Sequence, residues 1–415
     1  MTARAITDMQ PLRILWAMPY LPWPVTSGGK SRQYHLLKAL EKRGHHVTLL
    51  VQSKSEATPE ALATLGALTD RVIVLPRRPL KHPVSILWTL FGPQPLLVAV
   101  NGHAPELTRA VQNLMVEHWD IVQIEHSYSC QPYLKALRRS GHGFVLTEHN
   151  IESSLCDATY DKLPRWFHPL AAWDRKRYLR WERRVFGLAE QVIAVTDADA
   201  RVIARATDKP VGVVVNGVDA AKFAGVVPDP SARRILFVGN YEYAPNIAAV
   251  EWALSAIMPL VWEHYPETRF AVCGYALPAR WRSQFPDPRI EWHGFVKDLM
   301  EIQGRSTLFL APLRDGGGSK LKVLEAMAAS LPLVSTHEGI SGLSLQQGSD
   351  ALIGADASDL ARHVVTLLGD PDLARRLGTS GRAYAARRHD WSVAASELED
   401  IYRQLLEARA QRPKK

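Results

Sequence analysis

Between Ala311 and Gly342 the chain reads APLRDGGGSKLKVLEAMAASLPLVSTHEGISG, an order of residue types that can gather an anion. An apolar run, Leu308 to Leu313, leads into Gly316, Gly317 and Gly318, then into Ser319, Lys320 and Lys322. Glycines let the backbone approach a ligand closely with its N–H groups available, and the start of the following helix adds partial positive charge. Lys320 and Lys322 bring full charges. Glu325, on a run of good helix formers, can accept hydrogen bonds from hydroxyls. Diphosphate plus hydroxyls is the chemistry of a nucleotide sugar. A glycine turn that merely leads into a helix has the same local string, so the surrounding elements must decide.

Those elements alternate. Arg13 to Pro19 reads as a buried strand, Thr26-Ser27-Gly28-Gly29 as a glycine-bearing loop, Ser31 to Lys42 as a helix, and His46 to Gln52 as a second strand. In such a βαβ unit Gly28 and Gly29 fall at the carboxyl end of the first strand, where open α/β sheets bind ligands. The loop is not GxGxxG, so a plain dinucleotide site is a weak reading. Further strands are expected at 71–75, 120–125, 143–147, 191–195 and 211–215. His149, Asn150 and Glu152 follow one of them, at a strand's carboxyl end. Asp197-Ala198-Asp199 resembles a metal string, but a helix begins there and capping explains it.

Residues 220–232 carry Gly225, Pro228 and Pro230 without periodicity and read as a linker. A second alternation follows, with strands ending at Gly239 and Gly274, and a helical end in which Ala394, Leu398, Ile401, Tyr402 and Leu405 share one face. The expected division is 1–219, linker 220–232, 233–391, and a last helix over 392–415. The fold class is α/β, with two doubly wound halves facing across a cleft.

Composition bounds the function. The chain has 415 residues, 47% hydrophobic and 22% charged, which is globular with ample core. Cys130, Cys156 and Cys273 form no CxxC pair, which argues against a disulfide framework or structural zinc and suits a reducing, cytoplasmic compartment. The start is not a signal peptide, and no run of about 20 apolar residues is found, so no membrane span is expected. The net charge of +8 favours anionic partners. No nucleic-acid motif accompanies it.

These strings together resemble the GT-B-fold retaining glycosyltransferases of family 4, of the type found in exopolysaccharide gene clusters. The resemblance is carried by SGGKSRQYHLLKALEKRGHHVTLL, TEHNIESS, VVNGVD, ILFVGNYEYAPN, FAVCGY, IEWHGFV, APLRDGGGSKLKVLEAMAASLPLVST and HDWS, in that order along most of the chain. It implies transfer of a sugar from a nucleotide-diphosphate sugar to a sugar or lipid-linked acceptor, with no metal or other cofactor. By resemblance Glu325 holds the donor ribose, and Gly316, Gly317, Gly318, Ser319, Lys320, Leu321, Lys322 and Arg314 surround the diphosphate and sugar. Gly239, Asn240, Gly274, Phe295 and Val296 border the nucleotide, and Gly28 and Gly29 close over the diphosphate. His149, Lys320 and Asp315 are the catalytic candidates, and Arg32, Asn150 and Glu152 lie on the acceptor side. The last helix would return to the N-terminal domain, with Trp391 at the crossing.

Two departures stand out. Many relatives carry a second glutamate eight positions before Glu325, where this chain has Gly317, and Asp315 is the nearest substitute. Many also carry an Arg and a Lys after the first strand of the second domain, where Asn240 to Asn246 holds no cation; Lys320, Lys322 and Arg314 are the candidates to replace them. A GT-B sugar-nucleotide epimerase or phosphorylase, or a non-catalytic basic binding protein, would share parts of this pattern.

Residues 163–188 are rich in Arg and Trp, with Leu170, Trp173, Trp181, Val185 and Leu188 on one expected helical face. Such a helix can dock on an anionic membrane surface or simply cover the core in solvated form. The apolar, Pro-broken stretch 83–100 could be a lipid-facing surface or core.

Overall fold

The computed structural model describes residues 10–54, 56–77, 83, 87, 89, 92–102, 104–153, 168–315 and 320–411. The chain forms two compact units. One is Met1–Val215 with Ala394–Lys415, and the other is Asn216–Val393.

The first unit holds a parallel sheet of order β3-β2-β1-β4-β5-β6-β7. Its elements are Arg13–Met18 (β1), Gly28–Glu41 (α1), His46–Ser53 (β2), Pro59–Gly66 (α2), Arg71–Pro76 (β3), Ile121–Glu125 (β4), Val145–Glu148 (β5), His168–Leu188 (α3), Gln191–Ala194 (β6) and Val211–Val213 (β7). Strands β1, β2, β4, β5 and β6 are buried along almost their whole length. That is why they read as continuous apolar runs and not as alternating ones. The chain builds outward from β1 to β3, then restarts at β4 on the other side of β1. The carboxyl ends of β1 and β4 are therefore the switch point of the sheet, the usual place for a ligand.

Helix α3 departs from the expected pattern. Trp181 and Val185 are buried with Tyr178 and Phe186, whereas Leu170, Trp173 and Leu188 are exposed. Asp174, Arg177 and Glu182 share the buried side. Arg177 can do so because its guanidinium donates to the carbonyls of Thr89 (2.8 Å) and Gly92 (2.7 Å), which satisfies a charge that would otherwise be costly to bury. At Asp197 and Asp199 the helix cap is Thr196, whose hydroxyl accepts from Asp199 N–H at 3.1 Å; the two carboxylates occupy the first turn, where the helix dipole favours them.

The second unit holds a parallel sheet of order β10-β9-β8-β11-β12-β13. Its strands are Arg234–Val238 (β8), Arg269–Cys273 (β9), Ile290–Gly294 (β10), Leu308–Ala311 (β11), Leu333–Ser335 (β12) and Leu352–Ile353 (β13). Helix α4, Ala244–His264, covers one face. It is apolar and long enough to approach membrane-spanning length, which the run-length reading missed because polar residues interrupt it; Val250, Ala253, Ile257, Met258 and Val261 are buried in the core of the unit. Helix α5, Leu321–Ala328, buries Val323, Leu324, Ala326, Met327 and Ala328. The stretch 220–232 is not a free linker: a short helix, Ala220–Phe223, forms there, and Phe223 and Val226 join the same core cluster as Val323 and Leu324.

Helix α6, Trp391–Ala410, lies mostly within the residues grouped with the first unit. Tyr402 donates its hydroxyl to Gln123 Oε1. Glu399 accepts from His45 (2.8 Å) and pairs with Arg43, and Arg409 donates to Glu190 (3.0 Å). Trp391 belongs to the second unit, where it packs on Gly217.

One backbone approach shapes the second sheet. Gly274 has φ +139°, and a Cβ there would run into the Gly239 carbonyl oxygen. Gly294 also has positive φ (+65°), but open space surrounds it. Gly274→Ala should destabilise the second unit by about 3 kcal/mol, since backbone cannot move aside. Gly294→Ala should cost about 1 kcal/mol. Urea unfolding of both variants checks this, and equal costs would show that φ alone matters.

Candidate active site

In the second unit the described residues resume at Lys320, at the head of α5. Gly316, Gly317, Gly318 and Ser319 lie outside the described residues. Lys320 is buried, with Nζ 3.1 Å from Glu338 Oε1. Lys322 donates to Asn246 Oδ1 and lies 4.8 Å from the Phe237 ring centre. Asn246 in turn donates from Nδ2 to the Asn240 carbonyl at 2.7 Å. The chain α5, Asn246, Asn240 thus delivers a cation to the segment that follows β8, where the sequence itself has none. Burial, reinforced by the nearby Lys320 charge, lowers the Lys322 pKa to about 7.

Glu325 lies one turn further along α5. Burial raises its pKa to about 7, against an opposing pull from Lys222. Lys322 and Glu325 are three residues apart and so share a side of the helix. Leu321 packs against the core. Arg314 is exposed, with its guanidinium 5.0 Å from the Trp252 ring centre, and Asp315 is exposed beside it. At the end of β10, Phe295 is 72% exposed and Val296 half-buried. Gly239 and Gly274 meet backbone to backbone at the ends of β8 and β9.

In the first unit His149 follows directly on β5 and is nearly buried. Its Nε2 is 2.7 Å from Glu125 Oε2, at the end of β4. Glu125 is fully buried and accepts three further hydrogen bonds: Trp16 Nε1 (2.8 Å) and Gln123 Nε2 (2.7 Å) on Oε1, and Gln33 Nε2 (2.6 Å) on Oε2. Burial pushes the Glu125 pKa up, but the hydrogen bond and charge of His149, with Gln123 and Arg32, more than offset it and hold the group below the usual carboxylate range. Since the carboxylate is ionised, the ring nitrogen facing it carries the proton. The other nitrogen, Nδ1, faces Gly29, where an added Cβ would lie 3.6 Å from it. That Cβ would also lie 2.8 Å from Tyr20 Oη, so a side chain larger than glycine would crowd the histidine's open edge.

Around this pair, Tyr20 Oη is 3.2 Å from His126 Nε2, and the His126 and His149 ring centres are 4.3 Å apart. His126 adopts φ +65°, a strained conformation for a non-glycine residue. Its pKa is well below the ordinary histidine value through burial and then the charges of His149, Arg32 and Arg77. Glu152 Oε1 is 3.9 Å from His126 Nδ1, and burial followed by Glu182 raises its pKa to about 7. Asn150 is half-buried beside it in sequence. Arg32, expected on the acceptor side, is buried, donates to the Val215 carbonyl at 3.0 Å, and acts on Glu125 through its charge. Gly28 opens α1, which Ser27 caps. The arrangement can hold one imidazole in a fixed tautomer and orientation beside a glycine-lined opening.

Residues 26–222 match the family model described as Glycosyltransferase Family 4, and residues 232–370 match Glycosyl transferases group 1. The chain belongs to glycosyltransferase family 4. A glycogen synthase of Mycobacterium tuberculosis is 24% identical over 418 residues, covering 95% of this chain and 94% of its own. A phosphatidyl-myo-inositol mannosyltransferase of Mycobacterium leprae is 24% identical over 404 residues, covering 94% and 96%. The crystal structure of HepE of Anabaena with UDP and glucose covers 95% of this chain and 100% of its own, with a TM-score of 0.61 and 14% identity. The last likeness concerns fold alone, and it agrees with two parallel-sheet units of the GT-B class.

For this glycosyltransferase, sequence reasoning reaches His149 but reads Glu125 only as the last residue of a strand. The available signal was a carboxylate followed by histidine at the carboxyl end of a central strand. Gln33 and Asn246 carried none, since amides are common on helices. Glu125→Ala would strand four donors and should destabilise the first unit by about 3–5 kcal/mol. The sign with pH follows from the depressed pKa: Glu125 contributes stability above its unfolded pKa and loses it as pH falls through the folded one. Denaturant titrations at pH 7 and in acid check both points. A Glu125→Ala protein as stable as wild type would remove the network from its structural role.

Proposed function

We propose that this glycosyltransferase moves a sugar from a nucleotide-diphosphate sugar to an acceptor hydroxyl, with retention and without a divalent metal, in polysaccharide or glycolipid synthesis. The observation that carries the reading is the pair Lys322 and Glu325 on one side of α5, a poorly solvated cation whose hydrogen-bond partner among the described residues is a neutral amide and a poorly solvated carboxyl one turn away. A diphosphate would accept from Lys322, and ribose hydroxyls would donate to Glu325. Phe295, exposed at the end of β10, offers a face to the base.

In the reaction the bond between the sugar's anomeric carbon and the diphosphate oxygen breaks, and a bond to the acceptor oxygen forms on the same face. The acceptor proton passes to the departing diphosphate. Lys320, Lys322 and the start of α5 stabilise the leaving charge. His149, held by Glu125 with Nδ1 on the side of Gly29, is the catalytic candidate of the first unit. Transfer to an acceptor, and not an altered free sugar nucleotide, separates this reading from an epimerase.

Two groups with pKa near 7 give the donor site a proton signature. At pH 6 Glu325 is largely protonated, and ribose hydroxyls that favour its ionised form make binding release a proton. At pH 8 Lys322 is largely neutral, and a diphosphate that favours its charged form makes binding take one up. Calorimetry of UDP binding in buffers of different ionisation enthalpy should show this reversal. Lys322→Met should abolish uptake and Glu325→Gln should abolish release, while Glu325→Ala should weaken UDP at least about tenfold. Unchanged affinity in Glu325→Ala would sink the donor assignment.

We further propose a peripheral position at the cytoplasmic face of a membrane. Exposed Arg175, Lys176, Arg180, Arg183 and Arg184 on α3 surround exposed Trp173 and Leu179, which supports an anionic lipid surface as partner. Flotation with anionic vesicles at low salt should carry the wild type and leave Arg180→Glu/Arg184→Glu behind. Equal flotation of both, or of neither, would count against it.

A further inference from the structure

A cavity of about 390 Å³ opens in the first unit at the carboxyl ends of β1, β2 and β3. Its charged walls are Lys30, Lys54 and Arg77, opposed by the single carboxylate of Glu56. One terminal nitrogen of Arg77 donates to the Pro19 carbonyl at 3.3 Å, but its Nε is buried and has no hydrogen-bond partner among the described residues. A buried donor of this kind is normally paired, and a guanidinium presents its N–H groups in a fork that fits two oxygens of one oxyanion. The Lys30 ammonium donates to the Pro24 carbonyl at a long 3.4 Å. Tyr20, Trp23 and Pro19 add apolar lining.

Tyr20 ties the cavity to the histidine centre. Its ring lines the cavity, its hydroxyl reaches His126, and that hydroxyl and His149 Nδ1 both flank the position where Gly29 lacks a side chain. A molecule anchored by an anionic group among the three cations would therefore extend along the Tyr20 and Trp23 wall toward Gly29 and His149. A neutral saccharide would leave the excess positive charge and Arg77 Nε uncompensated.

We propose that this cavity binds a phosphate group carried by the acceptor, so that the acceptor is a phosphorylated sugar or a sugar linked through phosphate to a lipid. The proposal rests on the transferase reading above and names the acceptor class for it. Phosphate oxygens accept from Arg77, Lys30 and Lys54, and the attached sugar stacks on Trp23 or Tyr20 with a hydroxyl toward His149.

The test uses the full chain and calorimetric titration with glucose 1-phosphate, with methyl glucoside as the uncharged control and vesicles carrying a phosphate-headed lipid as a second source. Glucose 1-phosphate should bind at least about tenfold more tightly than methyl glucoside, and Arg77→Met should remove that advantage. Lys54→Met, at the exposed mouth, should reduce it about threefold and serves if Arg77→Met does not fold. UDP affinity should be unchanged in both variants and weakened in Glu325→Ala, which separates failure of this proposal from failure of the donor assignment. If the lipid vesicles displace glucose 1-phosphate, the lipid-linked source is the one used; if they do not, the soluble sugar phosphate is. Equal affinity for the two sugars, or full retention of the phosphate preference in both cavity variants, would overturn the assignment.

Discussion

Four donors from four places in the chain converge on the Glu125 carboxylate: Trp16 from β1, Gln33 from α1, Gln123 from β4 itself and His149 after β5. A lone carboxylate at the centre of a sheet would be severely penalised by desolvation. Here each oxygen is satisfied, and the cost of burial becomes a constraint on position. The carboxyl ends of β1, β4 and β5 and the first helix must all keep register for the charge to stay solvated by the protein. Everything around His149, including the strained His126 and the glycine at the start of α1, takes its place from that requirement.

The second unit works on the opposite plan. Its important charges are left under-compensated. Lys320 has Glu338, but Lys322 has the neutral amide of Asn246, and Glu325 is drawn toward neutrality by burial. Hydrophobic packing of α5 through Val323, Leu324, Met327 and Ala328 holds these groups in place. Part of the folding energy thereby maintains groups whose charged forms burial disfavours.

The fold was largely legible. Both-face burial makes central parallel strands read as apolar runs, and glycines mark where they end. The limits were physical. The apolar face of α3 was misjudged because Arg177 and Asp174 are buried through partners distant in sequence, and helical periodicity takes no account of such partners. Residues 220–232 lacked periodicity yet pack, since Phe223 and Val226 fill the core as single anchors. At the site, glycines, lysines and a helix start could be read because their backbone roles are local. Glu125 and Asn246 could not, since their significance lies in contacts that span up to 109 residues in one case and 76 in the other.

Tyr402 reaches Gln123, and Gln123 is one of the donors that fix Glu125. The last helix is therefore in mechanical register with the imidazole, two hydrogen bonds removed. A gene product ending at His389 would keep every strand named above and lose this brace. It would also lose the pairs of Glu399 with Arg43 and His45 and of Arg409 with Glu190, so a frameshift near the end of the reading frame would strip packing from the first unit as well as loosen the setting of His149.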